Sequence, residues 1–189
     1  GEVVVLSEMT LNNLRQGDDI NVEDFLQRVE ILCALGKNVM ISSFAEYYRL
    51  AQYLFRLTRR PVAIALGVPS LRQVFDEAWY EHLEGGILEA FGRLFRNDMR
   101  LYVCPELQPD GEIVTARNLE VQPHLHHLYS HLLENGYLRS LDTIDAHNLA
   151  IHADNVLRKI REDEADWQTM VPDEVALMIR ERGLFGLPG

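Results

Sequence analysis

Unbroken apolar runs alternate with segments of helical periodicity through the first half of the chain. Val3-Val4-Val5-Leu6 opens it, so Val3 to Ser7 is expected to be a strand. Asn21 to Gly36 carries Phe25, Leu26, Val29, Leu32 and Cys33 at helical spacing. Asn21 suits the N-cap, Asp24 the first turn and Gly36 the stop. Val39-Met40-Ile41 is a second strand ending at Ser42-Ser43, and a helix is expected from Phe44 to Thr58. Pro61 introduces a third strand, Val62 to Leu66, and Pro69-Ser70 opens the next helix. Gly85-Gly86 separates that helix from another, Ile87 to Phe95, before a fourth strand, Met99 to Cys104.

Strands with no polar alternation are those covered on both faces, and helices between successive strands supply the crossovers that parallel neighbours need. The pattern therefore predicts an α/β fold, a three-layer Rossmann-like wound sheet, mostly parallel. After Pro105 the texture changes. Gln108-Pro109-Asp110-Gly111 is a turn, Glu112 to Val121 alternates as an edge strand or hairpin does, and Pro123 starts a helix that runs to Leu133 and stops at Asn135-Gly136. Tyr137 to Ile144 is a candidate further strand, and the rest is a helical C-terminal tail. The expected organisation is a single domain over 1–189, with a wound core over 1–106 and, over 107–189, an edge strand or hairpin plus helices docked on it.

Composition narrows the setting. The 189 residues are 47% hydrophobic and 25% charged, the balance of one ordinary globular domain. A formal net charge of −11 argues against a nucleic-acid surface, which needs clustered cations. The densest basic group, Arg56, Arg59 and Arg60 with Arg49 earlier, is either a solvated helix end or a phosphate clamp. No apolar run reaches the roughly 18 residues that span a bilayer, and no signal segment begins the chain. Cys33 and Cys104 are expected to be buried free thiols, which fits a cytoplasmic protein. Because Gly1 and Glu2 lead straight into an apolar run, the chain is expected to be part of a longer protein whose remainder is a partner.

In wound sheets, ligands gather beyond the carboxyl ends of strands, where helix N-termini offer N–H groups to anions. Glu8, Ser42, Ser43, Gly67 and Ser70 fall at such ends. Ser42 or Ser43 would either hydrogen-bond a phosphate or cap the helix at Phe44. Glu8 would act on a ribose hydroxyl or a metal, or be an exposed loop carboxylate. Gly67 would permit close ligand approach or a tight turn. Gly85 and Gly86 would serve a phosphate-facing helix end or close helix packing. His124, His127 and His131 share one face of a predicted helix, yet no spaced carboxylate or His-Glu-x-x-His pair accompanies them, so they are weak candidates and no metal site is assigned. No nucleophile elbow, Walker loop or Gly-x-Gly-x-x-Gly follows a strand, and catalytic residues stay unassigned.

Two resemblances bear on function. Ile151 to Ile160, Met170-Val171-Pro172, Val175, Ile179 and Gly183-Leu184-Phe185 resemble the C-terminal end of nicotinate-nucleotide adenylyltransferases, where a Ser-Ser-Thr helix precedes Val-Pro-x-x-Val, an isoleucine and a Gly-Leu-aromatic stop. In this chain His152, Ala153 and Asp154 stand in place of Ser-Ser-Thr, and Leu157 in place of the following arginine, with Arg158 one position on. The family's His-x-Gly-His is absent from Ser7-Glu8-Met9-Thr10-Leu11-Asn12-Asn13. Over nearly the whole length, Glu8-Met9-Thr10-Leu11-Asn12-Asn13-Leu14, Leu83-Glu84-Gly85-Gly86-Ile87-Leu88-Glu89 and Gly92-Arg93-Leu94-Phe95 look like the C-terminal part of a bacterial family of longer, uncharacterised proteins. Its members carry the conflicting automated names nicotinate-nucleotide adenylyltransferase and TonB-dependent receptor; the second disagrees with a sequence that has no barrel-strand pattern.

The expected function is binding of a nucleotide or phosphorylated metabolite at the strand ends, without clear catalytic motifs. One alternative is adenylyltransferase-like nucleotidyl transfer in NAD biosynthesis, for which the resemblance implies Mg²⁺. The other is a non-enzymatic interaction or scaffold domain, and no nucleic-acid or membrane partner is expected.

Overall fold

The computed structural model describes residues 3–11, 15–16, 19–141 and 145–188. In chain order the elements are β1 (Leu6–Thr10), β2 (Arg15–Gln16), β3 (Asp19–Ile20), α1 (Val22–Ala34), β4 (Asn38–Ser42), α2 (Tyr47–Leu57), β5 (Ala63–Gly67), α3 (Val68–Val74), α4 (Gly86–Leu94), β6 (Arg100–Cys104), β7 (Glu106–Leu107), β8 (Ile113–Val114), α5 (His126–Glu134), β9 (Leu138–Ser140), α6 (Ala146–Leu149), α7 (Ala153–Arg161) and α8 (Asp173–Arg182). Short 3-10 turns cover Glu77–Tyr80, Pro123–Leu125, Ala165–Met170 and Leu184–Gly186. The structure is mixed α/β with parallel strand pairs, and its C-terminal tail is helical. The chain divides into two compact units, Gly1–Ala45 with Ile151–Gly189, and Glu46–Ala150.

In the first unit, β1 pairs in parallel with β4 from Leu6↔Asn38 to Thr10↔Ser42, and β2 pairs antiparallel with β3. The expected strand at Val3–Ser7 is thus displaced toward Thr10. Upstream of Asn38 lies the stop of α1, so Val3, Val4 and Val5 have no strand to face and are 83%, 70% and 67% exposed. The Val5 carbonyl accepts from Asn38 Nδ2 at 3.2 Å. α1 follows expectation: the Asn21 side chain accepts from the Asp24 N–H at 3.0 Å and satisfies one orphan donor of the first turn. Its buried face runs through Phe25 and Ile31, so Leu26 and Cys33, seven residues apart on another stripe, are exposed. Cys33 is therefore not the buried thiol that its apolar neighbourhood predicts; Cys104 is half-buried.

The tail completes this unit. Ile31 packs with Val156 and Ile160 of α7, Val175 and Ile179 of α8, Leu184 and a fully buried Trp167. Gly183 adopts the left-handed conformation, φ 61°, that ends α8 at no Cβ penalty. Phe185 is also left-handed, at φ 59°, an unfavourable choice for a bulky residue. It is held by the Gln27 side chain, which accepts its N–H at 2.8 Å, and by Arg28, stacked 5.8 Å from its ring centroid.

In the second unit, β6 is the middle strand of a three-stranded parallel sheet in the order β5-β6-β9. Leu66, Val103 and Ser140 lie in one row, and Gly67 faces Cys104 in the next. The expected final strand is present as Leu138–Ser140; Ile144, like Asn12, Asn13 and Leu14 of the sequence resemblance, lies outside the described residues. β7 and β8 form the expected hairpin across the Gln108–Gly111 turn, but only two residues pair on each side. Beyond Val114 the chain leaves the ladder because Asn118 turns it: its Oδ1 accepts from the Thr115 N–H at 2.6 Å, and its Nδ2 donates to the Ile113 carbonyl at 3.0 Å. The core joins Leu101 and Val103 to Leu71, Val74, Ile87, Phe91, Tyr129 and Leu132.

Leu101 is fully buried on the middle strand, and Leu88, on the outer face of α4, is 67% exposed. Leu101→Ala is expected to destabilise the protein by about 2–5 kcal/mol in chemical denaturation, and Leu88→Ala by no more than about 0.5 kcal/mol. Comparable losses for the two would refute this placement of the core.

Candidate functional site

The first unit brings two of the predicted residues together. Glu8 on β1 and Ser42 at the end of β4 are half-buried, and the Ser42 hydroxyl donates to Glu8 Oε1. Ser42 Oγ also accepts from the Phe44 N–H at 3.2 Å, and Thr10 Oγ1 donates to the Phe44 carbonyl at 3.0 Å. These bonds fold residues 43–46 into an extended turn, so α2 starts at Tyr47 rather than Phe44, with Glu46 as its N-cap residue. Ser43 is exposed in the turn. A carboxylate beside Ser42 repels phosphate, so this strand end is suited to a hydroxyl or amine rather than to an anion.

Sheet β5-β6-β9 presents a different edge. The chain passes from β5 into α3 at Gly67, without a side-chain cap. Gly67 has φ −84°, and a Cβ there would meet Pro69 Cδ at an ordinary 3.5 Å. Neither turn geometry nor crowding demands glycine at this position. Ser70 is half-buried on α3, while Arg72 is exposed and donates to Glu106 Oε2 at 2.9 Å. Gln108 donates to the same oxygen at 2.6 Å. On β9, Ser140 Oγ is buried and has no hydrogen-bond partner among the described residues. A buried hydroxyl is normally paired, because leaving it unpaired costs roughly 1–3 kcal/mol.

Gly85 and Gly86 have local reasons to be glycine. A Cβ on Gly85 would stand 2.8 Å from Glu89 Cβ, and Gly86 has φ 54°. The Gly85 N–H donates to Glu89 Oε2 at 2.9 Å, so the amino end of α4 already faces a carboxylate. Of the basic group, Arg56 lies in the last turn of α2, where a cation meets the negative helix pole.

Sequence reading missed a polar cluster around the amino end of α2. Tyr48 is buried at 3% exposure. Its hydroxyl lies 2.9 Å from His82 Nε2 and accepts from Arg49 Nε at 3.0 Å. Arg49 NH2 lies 3.2 Å from the same imidazole nitrogen. Glu46 takes Arg49 Nε at 3.1 Å and stands 3.7 Å from His82 Nε2. The bond to Tyr48 and the charge of Glu46 raise the Arg49 pKa further. Behind Tyr48, Tyr80 donates to the Val74 carbonyl at 2.8 Å, and burial, helped by Glu46 and Asp76, holds its phenol well above the usual tyrosine range. Arg93, paired with Glu89, lies 5.7 Å from the Tyr48 ring centroid. Nothing in the sequence links Tyr48 to His82, 34 residues away.

The three candidate histidines are not brought together. His124 falls in the 3-10 turn before α5, which breaks the helical spacing, and its Nε2 meets Glu77 Oε2 at 2.5 Å. His131 Nδ1 lies 3.2 Å from Asn135 Nδ2. Among the described residues no group of three His, Cys, Asp or Glu side chains is placed to hold a metal ion. No helix among them is long and apolar enough to cross a membrane.

In the tail, His152 precedes α7 and makes no capping bond. Arg158, the cation nearest the position where the resemblance calls for a phosphate ligand, is held by Glu162, Glu164 and Asn155. Lys159 joins the network through Glu164 at 3.1 Å and Asp166 at 2.5 Å. Arg158 first, then Lys159, lowers the Glu164 pKa from 4.5 to about 2. A carboxylate with a lowered folded-state pKa stabilises the fold above its unfolded value and loses that contribution as pH falls. The protein is therefore expected to lose stability between about pH 4.5 and 2, and Glu164→Gln to lessen that loss. The gain is modest because the pair is exposed to solvent. Acid unfolding curves that superimpose for the two proteins would contradict this role. Set against family models, curated proteins and solved structures, the chain matches none, and the functional reading rests on its own geometry.

Proposed function

We propose that the chain binds a nucleotide or phosphorylated metabolite at the carboxyl edge of β5-β6-β9, in a Rossmann-like wound arrangement. The observation that carries this reading is Ser140 Oγ, buried at that edge without a partner among the described residues. A ligand polar group would satisfy it. Gly67 supports the same reading: an edge glycine that neither φ nor packing requires is suited to close approach of a ligand to the backbone. Arg72 supplies a cation from α3, and an incoming phosphate would compete for it with Glu106. Helical connections between parallel strands favour the wound arrangement, in which ligands lie beyond strand carboxyl ends.

Ligand binding is read by thermal shift with ATP, nicotinate mononucleotide, NAD and sugar phosphates. A ligand at 100 times its Kd should stabilise the folded protein by about 2.7 kcal/mol. Gly67→Ala is expected to keep the unliganded melting temperature close to that of the parent protein and Ser140→Ala to raise it, because the unmet hydroxyl is removed, and both are expected to weaken binding at least about tenfold, equivalent to about 1.4 kcal/mol. Absence of a shift with all four ligand classes would sink the reading. Full affinity in both variants would remove it from this edge. Pyrophosphate release from ATP, nicotinate mononucleotide and Mg²⁺ would identify adenylyl transfer in addition to binding.

A further inference from the structure

We propose that His82 is a pH-sensitive switch that fastens residues 81–86 to the amino end of α2 through Tyr48 and Arg49. The geometry sets the direction of each bond. Arginine only donates, so His82 Nε2, 3.2 Å from Arg49 NH2, is an acceptor and the ring proton of neutral His82 is on Nδ1. Tyr48 accepts from Arg49 Nε at 3.0 Å, which leaves its own O–H to donate to His82 Nε2 at 2.9 Å. The chain of donation is Arg49 to Tyr48 to His82.

Protonation reverses one end of it. Nε2 becomes a donor, so it no longer accepts from Tyr48 or Arg49, and the imidazolium lies against the guanidinium at 3.2 Å. Glu46, 3.7 Å from Nε2 and 3.1 Å from Arg49 Nε, becomes the shared counter-ion of two cations. Histidine is the side chain whose ordinary change of charge falls between about pH 5 and 8. Tyr80 is kept neutral by burial, and Arg93 is paired with Glu89. His82 and Arg49 are both about half exposed, at 43% and 49%, so either can swing into water without opening the core. Acid is thus expected to release Arg49, draw His82 toward Glu46 and loosen residues 81–86.

The test follows the His82 and Tyr48 ring signals and the Arg49 Nε–H by NMR from pH 8 to 5, with hydrogen exchange of the Leu83 and Gly85 amides. In the unmodified protein the Tyr48 and Arg49 signals should move with the midpoint of His82 itself, and the two amides should lose protection several-fold below it. In His82→Gln those signals and protection factors should stay constant. Glu46→Gln should weaken the acid response of the Arg49 signal, because it removes the counter-ion that draws His82 away from Arg49. Tyr48 and Arg49 signals that ignore the His82 titration, or that change equally in His82→Gln, would overturn the switch.

Discussion

The requirement that a parallel strand reach its neighbour through a crossover organises residues 46–150. β6 is flanked on both sides by parallel partners, so both edges of its backbone are paired, and Leu101 and Val103 are fully buried. Each neighbour has to arrive by way of helices, and those helices are amphipathic toward the sheet. α4 turns Ile87, Ala90, Phe91 and Leu94 inward, and α5 turns Tyr129 and Leu132 inward. Phe75 locks the two sets together, with its ring 5.0 Å from Phe91 and 4.9 Å from Tyr129 in edge-to-face contacts. Two of the buried phenols fit because each finds a carbonyl: Tyr129 donates to Ala116 at 2.6 Å and Tyr80 to Val74 at 2.8 Å.

The first unit solves its packing differently. Two parallel strands alone bury too little to be stable, and Leu6 and Ile41 are 46% and 54% exposed. Its interior is a helical cluster around Trp167, supplied by α1 from the beginning of the chain and by α7 and α8 from the end. That contact gives the tail frame a folding role. Pro172 starts α8, Gly183 ends it and Leu184 seals the cluster. These positions answer to helix geometry and burial, so they can recur without the phosphate ligands that accompany them in the adenylyltransferases.

Elements were legible wherever a local rule decided them. Asn21 caps α1, Gly183 stops α8, and the turn at Gln108–Gly111 joins two strands. Apolar runs were less reliable guides. Val3-Val4-Val5 has the same character as a buried strand, yet pairing begins at Leu6 because the partner strand begins at Asn38. Cys33 sits among apolar residues and is exposed because Phe25 and Ile31 set the face of α1. Of the site candidates, Glu8 and Ser42 do meet, since both belong to paired strands. The histidine row dissolved when a 3-10 turn replaced the first helical turn, and the Tyr48 cluster, built across 34 residues, left no local pattern to read.

Two buried polar atoms have no partner among the described residues, Trp167 Nε1 and Ser140 Oγ, and their surroundings separate their meanings. Trp167 is fully buried in the cluster that includes Ile31, Val156, Ile160, Val175, Ile179 and Leu184. There the large apolar area of the indole outweighs an unmet donor, a trade that packing alone explains. Ser140 has no such compensation: a serine side chain buries almost no apolar area, and alanine would fill the same space without a hydroxyl to satisfy. It also stands where β9 ends, in the row of Leu66 and Val103, beside strand ends that lead into α3 and the β7–β8 hairpin. The proposed ligand site therefore rests on a hydroxyl that has no partner among the described residues and no packing benefit, at the edge where parallel sheets receive ligands.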